Sequence, residues 1–496
     1  MSLPAAVYST DQVRALDRHA IDRQGIPGYV LMQRAAEASL RLLRARYPAA
    51  RRVVVVCGGG NNGGDGYVLA RLARAAALEV VVLAAVAPDR LLGDARHGFT
   101  DWLAAGGSVA AFDVAALRDA DLLVDALCGT GLSADLRADA RGVVMAINAA
   151  SRPVLSLDVP SGLCSDTGRV LGAAVNADTT ITFVGLKQGL FLGAGPRQRG
   201  VLFYDDLNIV APGGAEFAPV LQRLMRSDLD VARTQRPRDA HKGLFGQVLV
   251  VGGGNGMPGA AALAARAALR VGAGRVRVAC APGSLAAIAG NTAEAMVQPV
   301  NAATDLDGCL AAADTVLLGP GLGLDAWARA CWSRALALCR ERQIPLVIDA
   351  DGLNLLADEG AEPCNWVLTP HPGEAARLAQ ISNAQVQDDR LGTLTRLTAR
   401  YGGIVVLKGA CTLLGATGRT PAVCDAGNPG MATAGMGDVL GGAIAGLLAQ
   451  LRDPWLAARA AVLAHALAGD AAAEAGGERG LIASDVIEAL RAQVNP

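Results

Sequence analysis

Gly427–Leu440 reads G-N-P-G-M-A-T-A-G-M-G-D-V-L. Asn428-Pro429-Gly430 is a turn signal. Gly435-Met436-Gly437 predicts a loop whose backbone can approach a ligand closely. Asp438 then opens an apolar run, Val439–Leu451, that predicts a buried helix. A glycine loop feeding a helix offers free N–H groups and a positive dipole end to an anion such as phosphate. A carboxylate one residue beyond can take a proton from a hydroxyl beside that phosphate. The plainer reading is a helix start with Asp438 at its cap or in its first turn.

The rest of the chain has an α/β rhythm to match. Val53–Val56 predicts a buried strand running into Cys57–Gly66, C-G-G-G-N-N-G-G-D-G, taken as a loop before a helix around Tyr67–Ala77. Strands are expected at Val80–Ala84, Leu122–Val124, Val154–Leu157 and Thr180–Val184. A helical region is expected over 9–46. Pro212-Gly213-Gly214 and the charged stretch Arg223–Arg238 break the rhythm, which sets a boundary near residue 228. It then restarts with Gln247–Val251, Gly252–Gly256 and a helix over Ala260–Val271. Strands follow at Arg275–Ala279, Thr315–Leu318, Leu346–Ile348, Val367–Leu368 and Ile404–Leu407. Alternating strands and helices imply parallel sheets covered on both faces. The expectation is a Rossmann-like domain over 1–226 and a second, different α/β domain over 229–496.

Composition narrows the function classes. The 496 residues carry a net charge of −1 and only 4% aromatics. That points away from nucleic acid, which wants basic patches and stacking platforms. Ten cysteines without a C-x-x-C pair argue against zinc or a disulfide framework and for a reducing, cytoplasmic setting. Residues 1–20 contain Asp11 and Asp17 and lack a secretory apolar stretch. No apolar run reaches ~18 residues, so no membrane span is expected.

In an open parallel sheet, ligands bind beyond the carboxyl ends of the strands. Gly58-x-Gly60-x-x-Gly63 matches a dinucleotide fingerprint, but no acid ends Val80–Ala84 and the loop is unusually polar. Asn62, Asp125 and Ser161 are placed to converge on a cation as hard oxygen ligands. In the second half, polar elements follow successive strands: Gly319–Gly323, Asp349–Asn354, Thr369–Glu374 and Lys408–Thr412.

G-G-G-N-N-G-G-D-G, D-A-L-C-G-T-G-L and L-D-V-P-S-G together resemble the NAD(P)H-hydrate epimerase family over roughly residues 1–225. The resemblance implies that Asn61, Asn62, Gly63, Gly64 and Asp65 bind the hydrated nucleotide. Gly129, Thr130, Gly131, Leu132, Ser133, Ala134, Asp135 and Asp158 would bind it too. Asp158 would be catalytic with Lys187 as helper, and potassium would sit on Asn62, Asp125 and Ser161. Gly59 stands where the family commonly has Pro.

Roughly residues 230–496 resemble the ADP- or ATP-dependent NAD(P)H-hydrate dehydratases, which have a ribokinase-like fold. The resemblance implies that Ala261, Gly323, His371 and Asp438 contact the hydrated nucleotide. Lys408, Gly409, Ala410, Cys411, Thr412 and Gly437 would contact ADP or ATP, with magnesium alongside. Ala434 stands where the family often has Gly or Ser. Asp438 would be the second catalytic group. Phosphorylating the nicotinamide hydroxyl turns a poor leaving group into a good one, which puts a kinase fold to work on an elimination. The expected activity is repair of the hydrates NADHX and NADPHX, by epimerisation and then dehydration of the S form. A vitamin or sugar kinase, or a nucleotide-binding scaffold, are the alternatives. ADP against ATP and homo-oligomer formation stay open.

Overall fold

The computed structural model describes residues 3–496 and divides into two compact units, one ending at Leu221 and one spanning Gln222–Pro496. The expected boundary near 228 lies a few residues late. Leu221–Arg223 is a strand paired with Ala422–Cys424, so the second unit has already begun. The charged stretch beyond it is not a linker. Arg223 makes a two-pronged pair with Asp425, and Arg459 reaches Asp228.

The first unit holds a seven-stranded sheet in the order Val109–Ala111, Glu79–Ala84, Arg52–Cys57, Leu122–Ala126, Val154–Leu157, Thr179–Phe183, Val201–Asp205. Every neighbouring pair is parallel. Strand order reverses between Arg52–Cys57 and Leu122–Ala126, and such a switch point opens a crevice at the strands' carboxyl ends. Val53 to Val56 are fully buried, as expected for a strand covered on both faces.

Three expectations need correction here. The region 9–46 is two helices, Thr10–Asp22 and Gly28–Arg46, separated by Gly25 at φ +67° and Pro27. The polar glycine stretch is not all loop: the helix starts at Asn61 and runs to Ala75. Its glycines oppose helix propensity, but packing requires them. A Cβ on Gly63 would lie 2.1 Å from Gly58 O, and one on Gly66 would lie 2.7 Å from Ala126 Cβ. The short strands Val109–Ala111 and Val201–Asp205 were not expected.

A second sheet runs through the second unit. The parallel part runs Met296–Pro299, Arg275–Cys280, Gln247–Val251, Thr315–Leu318, Leu346–Ile348, Trp366–Leu368, Ile404–Leu407. Thr412–Ala416 and Ala422–Cys424 then add antiparallel strands, which the sequence reading lacked. Again the order reverses where two glycine loops meet. Gly253 N donates to Pro320 O (2.9 Å) and Gly254 N to Gly321 O (2.7 Å).

The helix Met436–Leu451 packs on Pro258–Arg270 at glycines: a Cβ on Gly442 would lie 2.1 Å from Ala264 O. Beside it runs Pro454–Gly476, 23 residues long and apolar enough to cross a membrane by length and composition. The expectation of no such segment is corrected to this extent. The helix is interrupted by Arg459 and Asp470, and 61% of its most apolar window is buried inside the unit, which is how a core helix looks.

Candidate functional sites

The switch-point crevice of the first unit is a cavity of about 610 Å³. Asn61, Asn62, Asp65, Gly129, Thr130, Gly131, Leu132, Asp158 and Lys187 all line it. Gly63 and Gly64 do not: they press on Gly58 O and on the Met32 side chain. Ser133, Ala134 and Asp135 are also off the cavity wall, on the exposed end of their loop.

Asp125 is fully buried at the end of its strand. It accepts from Ser161 Oγ (2.6 Å), Ser161 N (2.9 Å), Ser156 Oγ (2.8 Å) and Leu127 N (3.3 Å). Burial raises its pKa against the pull of these donors. Both polar atoms of the Asn62 side chain are buried and take no hydrogen bond among the described residues. A buried carboxylate, a hydroxyl and an unsatisfied amide oxygen suit a hard monovalent cation, and among the described residues no cluster of His, Cys or acids suits a transition metal.

Asp158 sits at φ +66° in the left-handed region, as does the neighbouring wall residue Val184. Such a conformation in a β-branched residue is uncommon and costs about 1–3 kcal/mol, so it persists only where the surroundings impose it. Asp158 N donates to Ile181 O, Val184 N to Asp205 O and Tyr204 Oη to Val184 O, and Lys187 adds its bonds to this wall. The Lys187 ammonium donates to Asp158 Oδ1, to Thr182 Oγ1 (3.1 Å) and to Phe183 O (2.7 Å). Sequence reading did not select Asp17, which also faces this cavity. Its position on the helix Thr10–Asp22, beside buried Leu16, was the available signal.

In the second unit, three strand ends and one helix start bring together Asp349, His371 with Glu374, Lys408 and the Gly435–Asp438 turn. Asp349 is buried, and Lys408 Nζ donates to its Oδ1 at 2.6 Å. Glu374 Oε2 lies 3.9 Å from the same ammonium. Burial pushes Glu374 up to about 7 despite Lys408. A Cβ on Gly437 would lie 3.1 Å from Lys408 Nζ, which places the glycine loop over the lysine. Gly435, at φ +87°, is the helix N-cap and no side chain caps the first turn. Asp438 is therefore not the cap but lies in the first turn, the other position the plainer reading allowed. Asp438 is partly buried in the first turn, and burial with Asp349 nearby pushes it up to about 7.

His371 is exposed on the rim. Its Nδ1 accepts from Gly373 N (3.0 Å) and Glu374 N (3.3 Å), while its own N donates to Glu374 Oε2 (2.7 Å). Gly323 is pinned by its N–H to Asp351 Oδ2 at 2.8 Å, and Ala261 is wholly buried in its helix. Lys408–Thr412 forms a tight turn with Cys411 at φ +56° and Thr412 Oγ1 donating to Gly409 O. Buried Arg390 threads under it and donates to the carbonyls of Leu407 (3.2 Å), Lys408 (3.2 Å) and Cys411 (3.4 Å). Arg390 was missed because its partners are backbone, which leaves no sequence pattern. His465 was missed too. It makes a backbone hydrogen bond with Met436, and burial holds its imidazole down to about 4, hence neutral.

Comparison with known proteins agrees with this division. Residues 28–189 match the family described as YjeF-related protein N-terminus, and residues 248–491 match NAD(P)H-hydrate dehydratase. A ribokinase-like superfamily protein from Enterococcus faecalis aligns over 55% of this chain and 95% of its own, at 33% identity and TM-score 0.52. A bifunctional NAD(P)H-hydrate repair enzyme from Coxiella burnetii is 44% identical over 99% of both chains. One from Escherichia coli is 41% identical over 100% of this chain and 95% of the relative. This chain therefore belongs to the family of bifunctional NAD(P)H-hydrate repair enzymes.

Proposed function

We propose that the first unit interconverts the R and S hydrates of NADH and NADPH, and that the second dehydrates the S form at the expense of ADP or ATP. The observation that carries the second assignment is the glycine turn Gly435–Gly437 at an uncapped helix start, with Lys408 beneath it and Asp438 one residue on. Free amides and an ammonium fit the transferring phosphoryl group. Asp438 takes the proton of the hydroxyl that attacks it. A pKa of about 7 suits a general base at neutral pH. The C6–O bond then breaks with its electron pair leaving on the phosphate, C5 loses a proton to solvent, and the 5,6 double bond of the ring returns.

In the first unit, Asp158 and Lys187 form the acid–base centre, with Asn62, Asp125 and Ser161 holding potassium. Held by these residues, potassium would supply the positive charge that balances the buried Asp125. Magnesium enters the second unit with the nucleotide, since Asp351 is engaged by Gly323 and Glu374 by His371. This accords with the way magnesium is usually held by phosphates rather than an all-protein cage. The setting we assign is cytoplasmic, where the nicotinamide pools lie.

The test is incubation of the full chain with hydrated NADH and ADP or ATP, following the absorbance of the reduced ring. Nucleotide-dependent return of that absorbance is expected. A stable phosphorylated product would instead assign a kinase.

A further inference from the structure

We propose that Asp17 is a second acid–base residue of the first unit, acting on the nicotinamide nitrogen while Asp158 acts on the hydroxyl. The proposal rests on the epimerase reading of this cavity and names the group that reading leaves out. Asp17 projects from the helix Thr10–Asp22 into the cavity that Asp65, Asp158 and Lys187 also line. An ammonium has three donors. All three of Lys187's are taken, by Asp158, Thr182 and Phe183. None is left for Asp17, which takes no hydrogen bond or close ion pair among the described residues.

The surroundings of Asp17 are set by a few charges. Lys187 and Arg18 favour its ionised form, while Asp158 and burial oppose it. Arg14 and Asp94 also line the cavity, and Arg14 donates to Thr130 O. The balance lifts Asp17 to about 6, within reach of a proton exchange at neutral pH. Burial, with Asp158 and Asp17 nearby, also pushes Asp65 well above the ordinary carboxylate range. Asp158, paired with Lys187, and Asp17, which is not, are thereby fitted to opposite roles.

Hydration of the 5,6 double bond puts a hydroxyl on C6, next to the ring nitrogen, so C6 is a hemiaminal carbon. Inversion by ring opening needs a base at the hydroxyl and an acid at the nitrogen. Asp158 accepts the hydroxyl proton. The C6–N1 bond breaks with its electron pair going to N1, and N1 takes the proton of Asp17. The resulting aldehyde rotates about C5–C6. N1 then attacks the other face, returns its proton to Asp17, and the oxygen takes its proton back from Asp158. No atom is gained or lost and no redox change occurs.

The experiment uses the full chain, with dehydration of the S hydrate as internal control. Asp17→Asn is expected to slow epimerisation by about 10²–10⁴-fold and leave dehydration unchanged. The wild-type rate is expected to fall as pH rises through about 6, and this limb should disappear in Asp17→Asn. Asp17→Glu should restore part of the rate, which a misfolded wall would not allow. Epimerisation of Asp17→Asn within a few-fold of wild type, or a loss of rate with the limb intact, overturns the proposal. Asp158→Asn separates the two claims. If it is inactive while Asp17→Asn is active, only the role of Asp17 fails; if it is fully active, the epimerase reading of the cavity fails with it.

Discussion

Lys408 Nζ lies 2.6 Å from Asp349 Oδ1 and 3.9 Å from Glu374 Oε2, and its charge also acts on Asp438. One buried cation thus serves three carboxyls. The first unit repeats the arithmetic with Lys187 against Asp17, Asp65 and Asp158. In each unit acid outnumbers base, so some carboxyls are pushed into the range where protons move at neutral pH. That is a physical reason why each site can exchange protons with a sugar or ring hydroxyl without an external base.

Lys408→Met should uncouple stability from function. Removing the ammonium leaves Asp349 buried and unpaired, and breaking a buried pair costs about 3–5 kcal/mol. Denaturant unfolding should show this loss. Asp349→Asn added to Lys408→Met should recover most of it by removing the stranded charge. Dehydration should stay lost in both variants. Recovery of activity by the double variant would show that the lysine acts only on the fold.

Asp125→Asn should make epimerisation insensitive to potassium. Asn keeps the shape and one accepting oxygen for the Ser161 donors, yet removes the charge that balances a cation. A titration of rate against potassium chloride, with lithium chloride holding ionic strength, should rise in wild type and stay flat and low in the variant. Dehydration of the S hydrate should be equal in the two. Potassium activation surviving in Asp125→Asn would remove these residues as ligands.

How much was legible depends on whether the signal was local. Val53–Val56 and Ile404–Leu407 were readable because strands covered on both faces are continuously apolar. The residues at their ends were readable because open sheets bind at those ends. Asn61–Gly66 was read as loop since three glycines and two asparagines in six residues look unhelical. The reason they are helical is the close approach to Gly58 and Met32, which no local pattern records. The antiparallel Thr412–Ala416 and Ala422–Cys424 were missed although they pair with each other and, through Thr412–Ala416, with Ile404–Leu407; only the neighbour of Ala422–Cys424 at Gln222 is far away in the chain. Arg390 and His465 act through backbone groups of distant residues, so only coordinates reveal them.

Gly63→Ala tests whether that helix start is a packing device. Its Cβ would sit 2.1 Å from Gly58 O, so backbone must move. Overpacking of this kind costs about 1–3 kcal/mol. The midpoint of thermal unfolding of the first unit should drop and epimerisation should fall with it. Gly60→Ala is the control, since Gly60 stands in the same stretch and nothing lies within 4 Å of a Cβ there. Equal effects of the two substitutions would show that the loop's flexibility, rather than its packing, is what matters.

Asp438→Asn carries the most information, because its stability and activity effects should run in opposite directions. As a general base, Asp438 works ionised, so wild-type dehydration should rise as pH climbs through about 7. Asn has no charge to gain. The rate should fall by about 10²–10⁴-fold and that limb should vanish. Stability has the other sign. The folded pKa is raised above the ordinary value of 3.8, so this carboxyl's contribution is fully present below that value and is lost as pH rises through about 7. Asp438→Asn avoids ionising a partly buried group beside Asp349 and Asp351. Its unfolding midpoint should exceed that of wild type at pH 8 and approach it at pH 4. Gly435 already caps the helix, so no capping bond is lost to offset the gain. A variant that is less stable at pH 8, or that dehydrates at near wild-type rate, would show that Asp438 supports the helix rather than the chemistry.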